Sequence, residues 1–354
     1  MRLTVPFVIA GLFVTAPAGA QDPDPRIVAP EVVRDVRGVH REVARENARA
    51  PRSAYQGRDR GPEQTERFSR RVKIGRDGRV GVENISGDIT VASGSGDEVS
   101  IEAVKRTRGD QSQLGAVRIV VDERAGRVDI RTEYDNSRFR NINVSVDYTI
   151  TVPSGAQVDV KSISGSVKVT GVHGSIRAET VSGSVTTTDT PKVERAKTIS
   201  GAVTLTGITT DGDLSISSVS GSVRARNVKA HGLELGSVSG DVVVSDVACD
   251  RLNAKSVSGG FEYTGTISHG GVYDVNVHSG TVRFTLANPS GFELTANTFS
   301  GSIRSDLPLT IGGDRDGNVR RRGVNNRSIR GTFGDGSAML TLRTFSGDIV
   351  IAKR

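Results

Sequence analysis

The side chains able to bind metals or carry protons are few and widely separated in this 354-residue chain. The histidines follow none of the short intervals that are typical of metal ligands; even His269 and His278, the nearest pair, are nine residues apart. Calcium-binding β-rolls need an aspartate in every repeat of about nine residues. Here Asp follows a recurrent Ser-Gly pair only at Asp88, Asp241 and Asp348. The sequence therefore predicts no metal and no cofactor. The other histidines are His40, His173 and His231.

Serine is abundant, but neither a G-x-S-x-G elbow nor a Ser-His-Asp set is visible. A polysaccharide lyase or hydrolase on a β-helix is the main catalytic alternative. Such an enzyme needs clustered carboxylates, or an Asp/Arg/Lys set, and aromatic side chains on which sugars stack. The chain has no Trp and its acids are scattered, so a non-catalytic interaction module is favoured. A cleft with converging acids would support the enzyme, and a face of Thr, Ser and Arg would support the module.

One basic cluster could contact an anion. Arg320, Arg321 and Arg322 lie in a Gly-, Asn- and Arg-rich insertion over residues 306–334. Guanidinium groups bind phosphate or carboxylate through forked hydrogen bonds. The hypothesis is that this loop binds lipopolysaccharide phosphate or an acidic glycan, and the alternative is a solvated loop without a partner.

Charge and cysteine content argue against a nucleic-acid-binding protein and against a disulfide-bonded one. The net charge is +7, but basic residues alternate with acids and no basic patch is interleaved with aromatics, so a nucleic-acid partner is not expected. Cys249 is the only cysteine, which excludes an internal disulfide and is most simply a small buried apolar residue.

The element that must position any site is a repeat. The Ser-Gly pairs that begin at Ser164 and end at Ser300 are 18, 18, 20, 19, 19, 21 and 21 residues apart. Periods in this range indicate stacked structural repeats. We call each pair a Ser-Gly corner, because a turn of two residues needs the positive φ that Gly adopts readily. The predicted corner glycines are Gly87, Gly165, Gly183, Gly201, Gly221, Gly240, Gly259, Gly280, Gly301 and Gly347.

Each repeat contains two short strands, because Val, Ile and Thr alternate with polar residues on both sides of a corner. The sequence thus predicts an all-β, β-helix-like solenoid in which stacked coils bury one apolar column. The corner serine is expected to hydrogen-bond local backbone or the next coil. Val181 and Val185, which flank one corner, are both expected to point inward. Residues predicted to form a single inward column are Val185, Leu205, Val223, Val242 and Val282.

The chain divides into four predicted regions. Residues 1–20 have the charged start, apolar run and Ala18-Gly19-Ala20 site of a secretory signal peptide. A Pro- and Arg-rich flexible linker follows over 21–66, with a short amphipathic helix over 31–48. A β-rich cap is predicted over 67–155 and the solenoid repeats over 156–354. No second apolar stretch is long enough for a transmembrane segment. An exported protein, periplasmic or extracellular, is expected.

Three segments resemble a bacterial putative-adhesin family of β-strand-repeat proteins, a domain of unknown function. They are GRVGVENISGDITV near residue 80, VDYTITVPSGAQVDVKSISGSV at 147–167, and GTFGDGSAMLTLRTFSGDIVI near the end. The resemblance covers roughly residues 68–354 and implies a β-helix-like fold on an exported protein. It implies no catalytic residues. It implies an adhesin-like protein whose partner is an unknown component of the cell envelope or surface.

Overall fold

The computed structural model describes residues 62–135, 142–287, 289, 291–310 and 327–354, all within one compact unit, Arg60–Arg354. The predicted signal peptide, the predicted helix and nearly all of the predicted linker lie outside the described residues. The first strand begins at Gln64, inside the segment predicted as linker.

The described chain is almost entirely β-strand. The amino-terminal strands are β1 (Gln64–Lys73), β2 (Arg79–Ser86), β3 (Ile89–Gly94), β4 (Glu98–Thr107), β5 (Val117–Arg124), β6 (Arg127–Tyr134) and β7 (Val144–Pro153), with one 3-10 helix at Gln111–Ala116. Next come β8 (Gln157–Ser164), β9 (Val167–Thr170), β10 (Ile176–Ser182), β11 (Val185–Thr188), β12 (Val193–Ser200), β13 (Val203–Thr209), β14 (Asp213–Ser220), β15 (Val223–Ser239) and β16 (Val242–Ser258). The last are β17 (Phe261–Ser279), β18 (Val282–Leu286), β19 (Gly291–Ser300), β20 (Ile303–Ser305), β21 (Ser328–Gly334), β22 (Ala338–Ser346) and β23 (Ile349–Lys353).

All 23 strands belong to one sheet, and successive coils pair in parallel. Corner residues stack on corner residues: Ser182 pairs with Ser164 on one side and with Ser200 on the other. We call the two strand segments that flank one Ser-Gly corner a layer. The fold is therefore all-β and solenoid-like, with the repeat period of the sequence setting the register.

The order of the layers differs from the order of the chain at both ends. The β2/β3 layer lies between β6/β7 and β8/β9, and all of these pairings are parallel. Near the carboxyl end, the β22/β23 layer lies between β17/β18 and β19/β20. One layer near each end of the described chain is thus enclosed between strands from other parts of the chain.

Antiparallel strands cover the two ends of the stack. β5 pairs with β6, and β4 pairs with both β7 and β1. At the other end β21 pairs with β19. An uncovered layer would expose unpaired backbone groups that can pair with another chain, so these strands act as caps. β2 and β3, which fall inside the predicted cap over 67–155, belong to the parallel stack itself.

Alternate residues of each strand point into a continuous apolar core. One inward column follows the corner glycines by two positions, and its neighbours pair as Val185–Val203 and Val203–Val223. The predicted column was wrong at Leu205, which pairs with Thr187 and Ala225 in the adjacent inward column. Leu205 is still fully buried, because residues two apart on a strand share a face.

The ten corner glycines have φ between +110° and +152°. The backbone of the next layer also approaches them closely. A Cβ built on Gly183 would be 2.1 Å from the carbonyl oxygen of Gly165, and one on Gly201 would be 2.2 Å from that of Gly183. Conformation and space both require glycine here.

A buried column of hydroxyl groups bonds the corner carbonyls. Thr180 Oγ1 donates to the Gly165 carbonyl at 3.0 Å, and Thr198 Oγ1 donates to that of Gly183 at 2.8 Å. These residues lie two positions before the corner serine and are buried, whereas corner serines such as Ser182 are exposed. The role expected for the corner serine thus belongs to the residue two positions earlier, because only that side chain points inward.

The opposite corner uses a different set of residues. Five stacked positions have φ between +53° and +75°, in the left-handed region. Short polar side chains tolerate this region better than other non-glycine residues, which explains why Asp and Asn alternate with Gly. The five are Gly171, Asp189, Gly207, Asn227 and Asp246.

The core becomes aromatic toward the carboxyl end. Tyr263 stacks on Phe284 with ring centroids 4.8 Å apart and meets the edge of Tyr273 at 6.2 Å. The Tyr273 hydroxyl donates to the Cys249 carbonyl at 2.5 Å. Cys249 is buried, and burial raises the pKa of its thiol to about 12.

We expect these tyrosines to make the fold sensitive to alkali. Burial raises the pKa of Tyr148 and Tyr273 to about 12, and raises those of Tyr134 and Tyr263 as well. An unfolded tyrosine ionises near about pH 10, so above that pH the folded state binds more protons. Stability should be intact below pH 10 and fall as the pH rises from there.

A spectrophotometric titration of tyrosinate, followed together with circular dichroism, checks this expectation. Ionisation of the buried tyrosines and loss of the β-sheet signal should coincide in one steep step. Smooth ionisation near about pH 10 with an unchanged β-sheet signal would contradict the burial described here.

Candidate interaction surface

A column of apolar side chains faces solvent immediately before the corner serines. Because side chains alternate along a strand, the residue between the inward hydroxyl and the corner serine points outward. Val181 belongs to this column and is half-buried, so the expectation that it points inward was wrong. We call this set the outer column. Its members are Ile85, Ile163, Val181, Ile199, Val219, Val238, Val257, His278, Phe345 and Phe299, given in the order of the layers.

The outer column ends in three stacked rings. His278 stacks on Phe345 at 5.0 Å with an interplanar angle of 8°, and Phe345 stacks on Phe299 at 4.8 Å and 4°. The parallel in-register pairing of β17, β22 and β19 places these rings in adjacent layers. Phe299 is 66% exposed and Phe345 46% exposed, so these rings offer apolar surface to a partner.

Arginines flank the three rings. Arg343 precedes Phe345 by two positions and is exposed on the same strand face. Beyond the corner, Arg283 and Arg304 both pair in register with Val350, one on each side of it. The ion pairs of the described residues do not include these three arginines. We call the three rings and three arginines the aromatic edge.

Two carboxylates lie beside the arginines of the aromatic edge: Glu262, which pairs in register with Arg283, and Asp348. Asp348 accepts hydrogen bonds from the Ser302 backbone N–H at 2.8 Å and the Ser302 hydroxyl at 2.9 Å, which lower its pKa. Asp88 and Asp241 accept the backbone N–H of Ser166 and Gly260 in the same way. The aspartates that follow a corner therefore join neighbouring layers. The edge has three guanidinium groups and two carboxylates, Asp348 and Glu262.

The strand face beyond the corners is rich in Thr, Lys and Arg. Thr186 pairs in register with Lys168 and Thr204, and Thr204 pairs with Arg224. All four point outward, since their neighbours along the strands are buried. A face of Thr, Ser and Arg is the feature expected of an interaction module.

A shallow polar depression of about 260 Å³ holds the acid, base and hydroxyl groups that come closest to a catalytic set. Asp250 Oδ2 is 3.1 Å from His231 Nδ1, and hydrogen bonds from His231 and Ser268 lower the pKa of Asp250. Ser268 Oγ donates to the Cys249 carbonyl at 3.1 Å.

This arrangement differs from a catalytic triad in its order. A nucleophilic serine must bond to the histidine that takes its proton, with the carboxylate behind that histidine. Here the carboxylate of Asp250 lies between His231 and Ser268. The lowered pKa also keeps Asp250 ionised, whereas the general acid of a glycoside hydrolase must be protonated to donate to the leaving group. The second carboxylate that lines the depression is Asp211, and no Phe, Tyr or Trp side chain lines it.

The residues and sites predicted from the sequence can be compared with the described part of the structure. Arg320, Arg321 and Arg322 lie outside the described residues; of the predicted insertion, β21 and residues 306–310 and 327 are described. Among the described residues, no group of three or more His, Cys, Asp or Glu side chains could hold a metal ion. The outer column was missed, although an apolar residue precedes nearly every corner.

Comparison with known sequences identifies the family. The sequence pattern of Toastrack DUF4097 matches residues 78–352, which include every Ser-Gly corner. The chain belongs to the Toastrack DUF4097 family. The resemblance to putative adhesins is thereby confirmed at the level of the family. No curated protein sequence matches this Toastrack chain.

Three solved structures are similar in fold. A "putative lipid binding protein" from Parabacteroides distasonis is 13% identical, with 81% of this chain and 96% of that chain covered and a TM-score of 0.41. A "putative adhesin" from Bacteroides fragilis is 13% identical, with coverage of 81% and 97% and a TM-score of 0.39. A "putative cell adhesion protein" from Clostridium sporogenes is 9% identical, with coverage of 82% and 100% and a TM-score of 0.25. In the described part of the Toastrack chain, no helix has the length and apolarity to cross a membrane.

Proposed function

We propose that this Toastrack protein is an exported, non-catalytic interaction module of the cell envelope, adhesin-like, whose partner is an envelope or surface component such as an anionic glycan. In this proposal the chain is a single β-solenoid with a β-rich amino-terminal cap, located in the periplasm or outside the cell. The observation that carries it is the outer column, which presents apolar side chains to solvent along successive layers.

An apolar surface kept in contact with water is unfavourable unless a partner covers it. The outer column is convex, since it occupies a corner of the coil, and it is bordered by exposed Thr, Lys and Arg side chains. Such a surface suits binding to an extended partner rather than the enclosure of a small substrate.

The test is a binding array of glycans and cell-wall fractions, run beside a polysaccharide depolymerisation assay on the purified protein. Binding without turnover is expected. Turnover that is lost in Asp250→Asn or Asp211→Asn would favour the alternative function, a polysaccharide lyase or hydrolase acting at the depression. Absence of binding to every envelope fraction would contradict the proposal.

A separate prediction concerns the basic insertion. If Arg320, Arg321 and Arg322 contact an anionic polymer, replacing all three with Ser should lower the salt concentration that elutes the protein from an anionic matrix. Exposed charges are screened within about 8 Å at physiological ionic strength, so the retention of both proteins should fall as salt rises. Arg118→Ser, Arg124→Ser and Arg131→Ser in the cap remove the same charge and serve as the control. Equal elution of the triple variant and the wild type would show that this segment has no such role.

A further inference from the structure

We propose that the aromatic edge is a lipid-contacting site that inserts into an anionic membrane surface, with His278, Phe345 and Phe299 in the interface and Arg283, Arg304 and Arg343 on lipid headgroups. This inference rests on the proposed function and specifies which surface of the protein binds and which chemistry it recognises.

The shape of the edge favours a lipid surface over a sugar. Sugars bind on the open faces of aromatic rings or in grooves. Here Phe345 is covered on both faces, by His278 at 5.0 Å and by Phe299 at 4.8 Å, so the stack offers ring faces only at its two ends. Neither the depression at His231 nor the small groove beside Arg79 includes the three rings. A lipid interface deforms around protruding side chains and needs no groove in the protein.

The chemistry of the edge matches the boundary of a bilayer. Aromatic side chains are enriched at the level of the headgroups, and Arg places an apolar stem in the interface while its charged group reaches phosphate. Three guanidinium groups lie at the edge with two carboxylates: Asp348 is engaged by Ser302, and Glu262 pairs in register with Arg283. The excess of positive charge is complementary to an anionic headgroup layer.

The apolar surface extends beyond the aromatic edge into aliphatic residues of the outer column. Val257, Val238 and Val219 occupy the next layers of the outer column and are half-buried. Val350, which lies between Arg283 and Arg304, is also half-buried. Apolar side chains bordered by cations along one side of an element are typical of interfacial binding.

The chain offers a matched control for the exposed rings. Val272 and Met339 also lie in adjacent layers, pair in register and are 46% and 53% exposed. They precede His278 and Phe345 by six positions, so they lie at the other end of the segment over which β17 and β22 pair. A lipid surface that bound any exposed apolar pair would respond equally to both pairs.

The experiment is co-sedimentation of the full chain with phosphatidylcholine vesicles that contain or lack phosphatidylglycerol. The expected result is binding to the anionic vesicles that weakens between about 0.01 M and about 1 M salt. Phe299→Ser with Phe345→Ser should lower the partition coefficient by about tenfold or more. Arg283→Ser, Arg304→Ser and Arg343→Ser together should remove the preference for anionic vesicles, and Val272→Ser with Met339→Ser should leave binding unchanged.

Several outcomes would overturn the inference. Vesicle binding by the Phe299/Phe345 variant equal to that of the wild type would assign binding to another part of the chain, such as the apolar amino-terminal segment that every variant retains. An equal loss in the Val272/Met339 variant would indicate nonspecific adsorption. Binding to beads that carry an acidic polysaccharide, without binding to vesicles, would make the edge a glycan site. Melting temperatures verify that each variant is folded.

The wild-type envelope array separates this inference from the proposed function. A protein that binds envelope fractions but not vesicles retains the proposed function and loses the lipid assignment. A protein that binds vesicles through the aromatic edge but no envelope fraction has the lipid site without the proposed function.

Discussion

Val185→Asp should destabilise the protein by on the order of 4 kcal/mol, because it places a carboxylate without a partner in the apolar core. Val185 is fully buried and pairs in register with Val167 and Val203, so the added charge would lie between apolar side chains of the adjacent layers. The free energy of unfolding of an ordinary domain is about 5–15 kcal/mol, so this single change removes a large part of the stability. Chemical denaturation at neutral pH is the measurement.

Thr186→Asp is the matched control for that experiment. Thr186 is the next residue, points to the opposite side of the sheet and pairs in register with Lys168. The same new charge should there change stability by less than about 0.5 kcal/mol. A Val185→Asp protein that unfolds at the denaturant concentration of the wild type would show that this column does not face the core.

Gly201→Ala should be the second severe change. The new methyl group would lie 2.2 Å from the carbonyl oxygen and 2.6 Å from the carbonyl carbon of Gly183. Neither atom can move freely, because the Gly183 backbone N–H donates to Ser200 and that of Gly201 donates to Ser220. We expect a loss of on the order of 3 kcal/mol or more, from the strain of a positive φ and from separation of the layers.

Two other glycines separate the contribution of backbone strain from that of steric contact between layers. Gly96 has a φ of +124°, but a Cβ there would have nothing within 4 Å, so Gly96→Ala reports conformational strain alone. Gly115 has neither a positive φ nor a close neighbour, so Gly115→Ala should be nearly neutral. If Gly201→Ala lowers the melting temperature no more than Gly96→Ala does, close approach between layers is not what requires glycine at the corners.

The sequence was sufficient to predict the repeat, its period and the stacking of coils, because each corner carries the same Ser-Gly pair. It was not sufficient to predict the direction of every side chain near a corner. Val181 and Val185 are both apolar, yet Val181 points outward because it follows the buried Thr180 in the strand. The alternation changes phase across the corner at Gly183, so Val185 points inward. Leu205 was assigned to the wrong inward column for a related reason, since two columns of one strand have the same polarity pattern.

The aromatic edge could have been found by listing the residue before each corner. It was missed because flanking apolar residues were all expected to be buried. The order of the layers could not be read from the chain, because every corner is compatible with every other corner. Only side chains that differ between layers, such as Asp348, which bonds to Ser302, distinguish one neighbour from another.

The enclosure of the β22/β23 layer between β17/β18 and β19/β20 has a consequence for the timing of folding. A chain that is still being synthesised has made both of the outer neighbours before it has made the layer that belongs between them. Until residues 338–353 are available, the aromatic core around Phe284 lacks one wall and β19 has no parallel partner. Growth from the amino terminus, one coil at a time, cannot complete this structure. The β22/β23 layer must instead be placed between two neighbours that were synthesised before it.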